Sequence, residues 1–302
     1  MKDILIIGGA GNIGHKLINT LLEDYSITVL DLKSNLALKR LAEYENKIKI
    51  VYGDIEDYHL VKDLVKKNDI VINLAGIMPP LAEFHESICN STNYMGSKNV
   101  VDAILEVNKS CLYVYASFIS VYGKTSNIEH KISVKEGINN PEDNYSINLM
   151  RSENYIKEKL KKYIVLRMPI VLTPNNYYIK HMNLNRMMDF ITVDDLNTSI
   201  LHIIKNEKAY GKTFNISGFK TNSSTFIKNM YKYSGRINMF RRNLYYGEYS
   251  DEDIINKLTK IEYSKPGDYY KVLKKENFIF LRYIRKLINL PKYIYYKIKT
   301  KK

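Results

Sequence analysis

The feature that most restricts the fold of this chain is a glycine-rich turn at residues 8–14, which follows a short apolar run at residues 4–7. An apolar run with β-branched residues, a cluster of glycines and then a helical pattern predict a strand, a tight turn and the start of a helix. Glycines let the backbone turn sharply and approach a phosphate closely, and the following helix offers unpaired N–H groups. The turn therefore predicts a phosphate site at the end of the first strand.

The spacing of the glycines also fits a dinucleotide-binding pattern. Residues 9–14 satisfy G-x-G-x-x-G, and residues 8–14 satisfy the close variant G-x-x-G-x-x-G. The pattern requires a second strand that ends in an acidic residue about 20 residues further on, and Asp31 follows the apolar run at residues 27–30. A carboxylate there would accept hydrogen bonds from the adenosine ribose and repel a 2′-phosphate, which favours NAD over NADP. The alternative is a glycine-rich turn beside a solvent-facing acid.

The length and composition are typical of one large α/β domain or of two closely joined domains. The chain has 302 residues, of which 45% are hydrophobic, enough for a substantial core. Because an apolar run begins within three residues of Met1, we expect no signal peptide, and because no apolar stretch approaches the roughly 18 residues of a membrane span, we expect no spanning helix. Cys89 and Cys111 do not form the pattern of a disulfide framework. We expect a cytoplasmic protein.

The net charge of +14 is concentrated near the C-terminus. Residues 271–302 contain eleven basic residues and a single acidic one, Glu276, so this segment carries +10. The body of the protein is left with only about +4, and nucleic acid is therefore not expected as a partner.

The basic tail at residues 278–302 contains a candidate amphipathic helix. Over residues 278–290, basic and polar side chains share one side and apolar side chains fill the rest, and Pro291 is expected to end the helix. Such a helix can lie on anionic lipid, which would place the protein at the inner face of the membrane. The alternative is that the apolar side closes the protein's own C-terminal lobe. The basic and polar side chains are Arg282, Arg285, Lys286 and Asn289.

Strands and helices alternate through the first half of the chain, which predicts an α/β fold with a Rossmann-type, doubly wound parallel sheet. Residues 1–168 are expected to form an NAD-binding domain, to which residues 189–217 return. Residues 169–302 are expected to form mostly a smaller C-terminal substrate lobe. The expected strands are 48–52, 70–73, 112–116, 164–167 and 213–216; the expected helices are 59–66, 91–106, 145–161 and 196–205, the last capped by Asp194 and Asp195.

Together, these motifs resemble the extended short-chain dehydrogenase/reductase family, the NAD-dependent nucleotide-sugar epimerases and dehydratases, over roughly residues 1–218. The resemblance implies NAD as the cofactor and a nucleotide sugar as the substrate, which is oxidised transiently; a second copy of the chain is a further candidate partner. It is carried by residues 8–14, 31, 53–55, 73–76, 93–100, 117–123, 166–167 and 193–195. The residues it places at the cofactor are Gly8, Gly11, Asn12, Ile13, Gly14, Asp31, Leu32, Asp54, Ile55, Leu74, Ala75, Gly76 and Tyr145.

The family's chemistry uses a Ser or Thr after the fifth strand, and this chain departs from that pattern. Residues 121–123 match the family's Val-Tyr-Gly, which puts Phe118 at the position of the catalytic hydroxyl. Ser117 and Ser120 are weak candidates to replace it. In an extended segment Ser117 points to the opposite side from Phe118, and Ser120 would need a shift of the backbone.

The family also uses a Tyr as general base and a Lys four residues later that lowers the pKa of the Tyr. Pro141 lies four residues before Tyr145, as in the family, so Tyr145 is the expected base and Leu149 occupies the lysine position. A literal Tyr-x-x-x-Lys begins at Tyr155, but it lies too close to Arg167 for the helix, turn and strand that the family has between these points. The ordinary route of the family is therefore expected to be impaired.

Three functions remain open from the sequence. The first is an NAD-dependent nucleotide-sugar epimerase or dehydratase with an altered base. The second is a non-catalytic protein that binds NAD or a sugar nucleotide, which Phe118 and Leu149 favour. The third is an enzyme at a membrane surface that acts on a lipid-linked sugar. The six histidines are scattered and no residues have metal-ligand spacing, so no metal is expected.

Overall fold

A computed structural model describes residues 1–123, 132–136, 141–173, 187–236, 258–276 and 279–299. Its centre is a sheet of seven parallel strands in the order β3-β2-β1-β4-β5-β6-β9. Helices lie between successive strands, so the predicted Rossmann-type α/β fold is confirmed. The seven strands are β1 (Lys2–Ile7), β2 (Tyr25–Asp31), β3 (Lys49–Tyr52), β4 (Ile70–Asn73), β5 (Leu112–Phe118), β6 (Tyr163–Met168) and β9 (Lys212–Asn215).

The central strands are mostly apolar because helices cover both faces of the sheet. In β1, residues 4–7 are buried and pair with β2 on one side and β4 on the other, with Ile4 opposite both Ile27 and Ile70. The helices are α1 (Gly14–Leu21), α2 (Asn35–Leu41), α3 (Tyr58–Val65), α4 (Leu81–Phe84), α5 (Glu86–Cys89), α6 (Gly96–Val107), α7 (Asn144–Lys159), α8 (Val193–Ile204), α9 (Ser223–Ser234), α10 (Pro266–Glu276) and α11 (Ile279–Lys299).

A second, smaller sheet lies beyond β6. It contains β7 (Ile170–Leu172), β8 (Met187–Thr192) and β10 (Phe219–Asn222), with β8 in the middle, parallel to β7 and antiparallel to β10. The ring of Phe190 in β8 stacks on that of Phe226 in α9 at 4.3 Å between centroids. Of the segment 189–217 that was assigned to the first domain, β9 joins the large sheet and β8 joins the small one.

The N-terminal cap of α8 differs from the prediction. Thr192, and neither Asp194 nor Asp195, is the cap, and its hydroxyl oxygen accepts a hydrogen bond from the N–H of Asp195 at 3.1 Å. The two acids lie in the first turn, where negative charge is favourable to the helix dipole. The predicted helix at 91–106 also begins differently, since residues 90–95 form a π-helical segment before α6.

The C-terminal helix α11 does not end at Pro291 as the sequence predicts. Pro291 lies inside the helix, although a proline removes one backbone donor. Two tyrosines hold the turns after Pro291 against α9. The ring of Tyr293 stacks on that of Tyr231 at 4.0 Å between centroids, and the Tyr296 hydroxyl donates a hydrogen bond to the Ser224 carbonyl at 3.0 Å. These tertiary contacts stabilise the continuation of the helix.

Candidate cofactor-binding groove

A groove of about 250 Å³ runs along the carboxyl ends of β1, β2, β3 and β4. Ligands bind at this edge in open α/β sheets, because the strand ends and the loops that follow them converge there. Nine of the residues that the sequence places at the cofactor line the groove: Gly8, Gly11, Asp31, Leu32, Asp54, Ile55, Leu74, Ala75 and Gly76.

The floor of the groove requires glycine at two positions. Gly8 has a φ of +81°, and a Cβ there would lie 2.8 Å from the backbone N of Ala75. Gly14 does not line the groove but supports it from below, since a Cβ at Gly14 would lie 2.4 Å from the Gly8 carbonyl oxygen. The loop after β1, the loop after β4 and the first turn of α1 therefore lie so close together that a Cβ at Gly8 or at Gly14 would clash with backbone atoms.

Asp31 fixes the turn from the neighbouring strand. Its Oδ2 accepts a hydrogen bond from the N–H of Ala10 at 2.7 Å. Burial raises the pKa of Asp31 above its ordinary value of 3.8, while hydrogen bonds from the backbone of Ala10 and Leu32 oppose that rise. The acid at the end of β2 thus holds the glycine turn as well as lining the groove.

Three asparagine side chains hold the loops that form the walls. Asn73 accepts from the N–H of Ala75 at 3.1 Å, and Asn99 donates to the carbonyls of residues 55 and 56, both at 3.1 Å. Asn93 accepts from the N–H of Ile77 at 2.7 Å and donates to its carbonyl at 2.9 Å. The motifs at 73–76 and 93–100 contained these residues, but the sequence did not reveal their positioning role.

Arg40 is a residue at the turn that the sequence analysis missed. It lies in α2, and its guanidinium donates to the Ala10 carbonyl at 2.7 Å and to Oδ1 of Asn12 at 2.8 Å. Asn12 itself lines a separate cavity of about 250 Å³, while Ile13 precedes α1 as its cap residue. A contact across thirty residues leaves no local pattern from which Arg40 could have been identified.

The candidate base Tyr145 has apolar neighbours. It lies in the first turn of α7, is 9% exposed, and its ring centroid is 6.4 Å from that of Phe118. Leu149, one helical turn later, is buried at 4% exposure. The two residues that the sequence aligns with the family's catalytic hydroxyl and ammonium, Phe118 and Leu149, are therefore buried apolar side chains.

The two serine candidates have different surroundings. Ser117 is fully buried and donates to Oε1 of Glu153 at 2.6 Å, so its hydroxyl faces the core of the protein. Ser120 lies close to the start of α7: its Oγ is 2.6 Å from Oγ of Ser146, which is 2.7 Å from Oδ2 of Asp143. Only Ser120 is connected to the turn that carries Tyr145.

The literal Tyr-x-x-x-Lys segment lies elsewhere on α7. The hydroxyl of Tyr155 donates to Oδ1 of Asp102 in α6 at 2.6 Å, and Lys159 pairs with Glu158. Neither residue lines the groove, and Tyr145 does not line it either. In the described ranges, no three His, Cys, Asp or Glu side chains gather in an arrangement that could hold a metal ion.

The fold and the turn define a Rossmann-type α/β protein, and the comparisons with known proteins narrow this class. The model of the 3-beta hydroxysteroid dehydrogenase/isomerase family matches residues 5–165, which is more than half of the chain. The chain therefore belongs to this family, and with it to the extended short-chain dehydrogenases/reductases that its motifs resemble.

The individual relatives have low sequence identity to this chain. The chain is 27% identical over 269 residues to a dTDP-glucose 4,6-dehydratase of Mycolicibacterium smegmatis, covering 77% of this chain and 78% of that protein. It is 23% identical over 187 residues to an uncharacterized membrane protein of Methanocaldococcus jannaschii, covering 57% of this chain and 56% of that one. The chain spans only slightly more than half the length of this and several other curated relatives.

A solved structure shows the same fold over nearly the whole chain. It is that of UDP-glucuronic acid 4-epimerase from Bacillus cereus, in complex with UDP-glucuronic acid and NAD. The TM-score is 0.72 at 20% sequence identity, and the match covers 90% of this chain and 99% of the epimerase.

Proposed function

We propose that the protein binds NAD in the groove and a nucleotide sugar beside it, as an NAD-dependent epimerase/dehydratase-like protein. The observation that carries this proposal is the convergence of the Gly8 turn, Asp31 and the 74–76 loop on one groove. NAD and a UDP-sugar are bound together in the B. cereus epimerase of the same fold, and the mycobacterial relative is named for a dTDP-sugar reaction.

The groove has groups suited to the pyrophosphate, the adenosine ribose and the adenine of a dinucleotide. The glycine turn and the N-terminus of α1 offer N–H groups to a pyrophosphate. Asp31 accepts from Ala10 through one oxygen, and its other oxygen would accept from a ribose hydroxyl. Asp54 and Ile55 would flank the adenine. When bound, NAD would supply the redox chemistry that the transient oxidation of a sugar needs.

The weakest part of this site is the base. A tyrosine with a pKa of about 10 is phenolate in only about one molecule in a thousand at pH 7. In the family a lysine increases that fraction, but here the corresponding side chain is Leu149, which is buried. We therefore propose that turnover through Tyr145 is slowed by a factor comparable to the roughly 10² to 10⁴ that general base catalysis contributes.

The second candidate function is a non-catalytic protein that binds NAD or a sugar nucleotide. The observation that favours it is that Phe118, whose ring neighbours that of Tyr145, and Leu149 are both buried apolar side chains at the two positions aligned with the family's polar groups. Both functions require the same groove, and they differ only in whether a bound sugar is turned over.

One experiment on the purified full chain separates these functions. Nucleotide released by denaturation is identified by mass spectrometry, and NADH-like absorbance and product are then followed with dTDP-glucose and a set of UDP-hexoses. Slow turnover that disappears in Tyr145→Phe supports the first function. Bound NAD with no turnover above that of Tyr145→Phe supports the second, and failure to bind NAD at all contradicts both.

Gly8→Ala should weaken NAD binding at least tenfold, or ~1.4 kcal/mol. The added methyl group would collide with the backbone of Ala75, and the positive φ is unfavourable for alanine. Isothermal titration calorimetry measures the affinity directly and does not depend on catalysis. The matched control is Gly267→Ala, because a Cβ at Gly267 meets nothing within 4 Å. Equal affinities for the two variants would contradict the assignment of the groove.

A further inference from the structure

The C-terminal helix α11 presents its apolar side to solvent. Several large apolar side chains along this side are more than two thirds exposed, among them Phe280 at 74%, Leu287 at 72% and Ile288 at 69%. An exposed apolar surface of this extent on a protein generally marks an interaction site. The exposed side chains are Ile279, Phe280, Leu281, Tyr283, Ile284, Leu287, Ile288, Leu290, Ile294, Tyr295 and Ile298; we refer to them as the apolar face.

The opposite side of α11 is fixed to the body of the protein. Asn289 donates to the Gly235 carbonyl at 3.1 Å, Tyr293 stacks on Tyr231, and Tyr296 is buried with its hydroxyl on Ser224. Residues 289, 293 and 296 are spaced by four and three, so they share one side of the helix. Of the two alternatives for this segment, the structure does not have the one in which the apolar side closes the C-terminal lobe: the polar and aromatic side contacts the lobe, and the apolar face is exposed.

Positive charge borders the apolar face. The sequence of α11 contains six basic residues and no acidic one. Lys292 and Lys297 are both exposed, and on the helical projection they lie at the two opposite edges of the apolar face. An apolar face with cationic edges is complementary to an anionic lipid surface, where the apolar side chains enter the acyl boundary and the cations meet the headgroups.

We propose that α11 docks the protein on an anionic lipid surface, with the apolar face inserted and the contacts to α9 setting the orientation of the body. A second copy of this chain fits the same face less well, because each copy would bring the positive charges of Lys292 and Lys297, and no negative charge from α11, to the edges of the contact. In the part of the chain that the structure describes, no helix is long and apolar enough to cross a membrane.

The test is co-sedimentation of the full chain with vesicles of three parts phosphatidylcholine to one part phosphatidylglycerol. The wild type should bind these vesicles, bind pure phosphatidylcholine more weakly, and dissociate as salt is added. Phe280→Ser together with Leu287→Ser should lower the affinity about tenfold or more. The matched control is Phe84→Ser in α4, because Phe84 is exposed to a similar extent, 76%, far along the chain from α11.

A second pair of variants separates the contribution of positive charge to lipid affinity from the contribution of the apolar side chains. Lys292→Gln and Lys297→Gln should each lower the affinity for the mixed vesicles by roughly fivefold and leave the affinity for pure phosphatidylcholine unchanged. Thermal melting confirms that each variant is folded. Wild-type protein that stays in the supernatant with anionic vesicles would overturn the proposal. So would a dimer, measured by light scattering, that Phe280→Ser with Leu287→Ser dissociates while lipid binding is absent.

Discussion

Glu153→Gln should lower the free energy of unfolding by about 3–5 kcal/mol, as expected when one partner of a buried ion pair is removed. Glu153 is fully buried in α7 and accepts hydrogen bonds from Ser117, Lys157 and Arg167, the last through Nη2 at 2.7 Å. Glutamine has the same shape, but it leaves the guanidinium of Arg167, only 1% exposed, without a compensating charge. Equilibrium denaturation with urea measures the change.

The matched control for this variant is Glu158→Gln in the same helix. Glu158 is 67% exposed and pairs with the exposed Lys159, so its replacement should change the stability by less than about 0.5 kcal/mol. A loss below about 1 kcal/mol for Glu153→Gln would contradict the role assigned to the buried pair.

The ion pair of Glu153 and Arg167 also predicts how the stability of the protein depends on pH. Burial alone would raise the pKa of Glu153, but the hydrogen bonds and charge of Arg167, together with Lys157, outweigh it and hold the pKa below its ordinary value of 4.5. A lowered pKa in the folded state means that the stabilisation is complete above the ordinary pKa and is lost as the pH falls through the folded value. The stability difference between wild type and Glu153→Gln should therefore be constant near neutral pH and shrink below about pH 4.5.

Leu149→Lys should increase NAD-linked turnover of a nucleotide sugar by about 10² or more. The new ammonium would lie one helical turn from Tyr145 on the same side of α7, where it would favour the phenolate. The measurement is the rate of product formation with dTDP-glucose and UDP-hexoses, against Tyr145→Phe as background. The pH profile supplies a second readout, because the rate of the variant should level off at a lower pH than that of the wild type.

Two control variants separate this effect from a general change in α7. Met150→Lys adds the same charge to the next residue, which faces a different direction, and should leave the rate unchanged. Leu149→Met keeps the volume without the charge and should also leave it unchanged. A Leu149→Lys variant that binds NAD but turns over no faster than either control would contradict the alignment of Leu149 with the family's lysine.

The sequence predicts the N-terminal half of the fold well, because the patterns that define its strands, turns and helices are local. The glycine turn, the acid at Asp31 and the alternation of apolar runs with helical patterns are all readable within windows of about thirty residues, and they converge on one groove. Family motifs supplied the positions of Tyr145 and Leu149. That both side chains are buried depends on the packing of α7 against β5, which the sequence does not show.

The features that the sequence did not reveal depend on contacts between distant segments. Arg40 reaches the turn across thirty residues, and Ser120 meets Ser146 across twenty-six. Pro291 was expected to end a helix because local rules take no account of the tyrosine contacts with α9 that hold the next turns. The sequence predicted that the tail forms an amphipathic helix, but it did not predict which side of that helix contacts the rest of the protein.

If the groove binds NAD as we propose, the hydrogen bond between Asp31 and Ala10 would restrict a change of coenzyme preference. Acceptance of a 2′-phosphorylated dinucleotide requires loss of the carboxylate, yet the same carboxylate holds the N–H of Ala10 at 2.7 Å. A single substitution at Asp31 would therefore remove the repulsion and loosen the turn in one step. A change towards NADP would first need another acceptor for that N–H, so the preference for NAD that we propose would be maintained by the architecture of the turn.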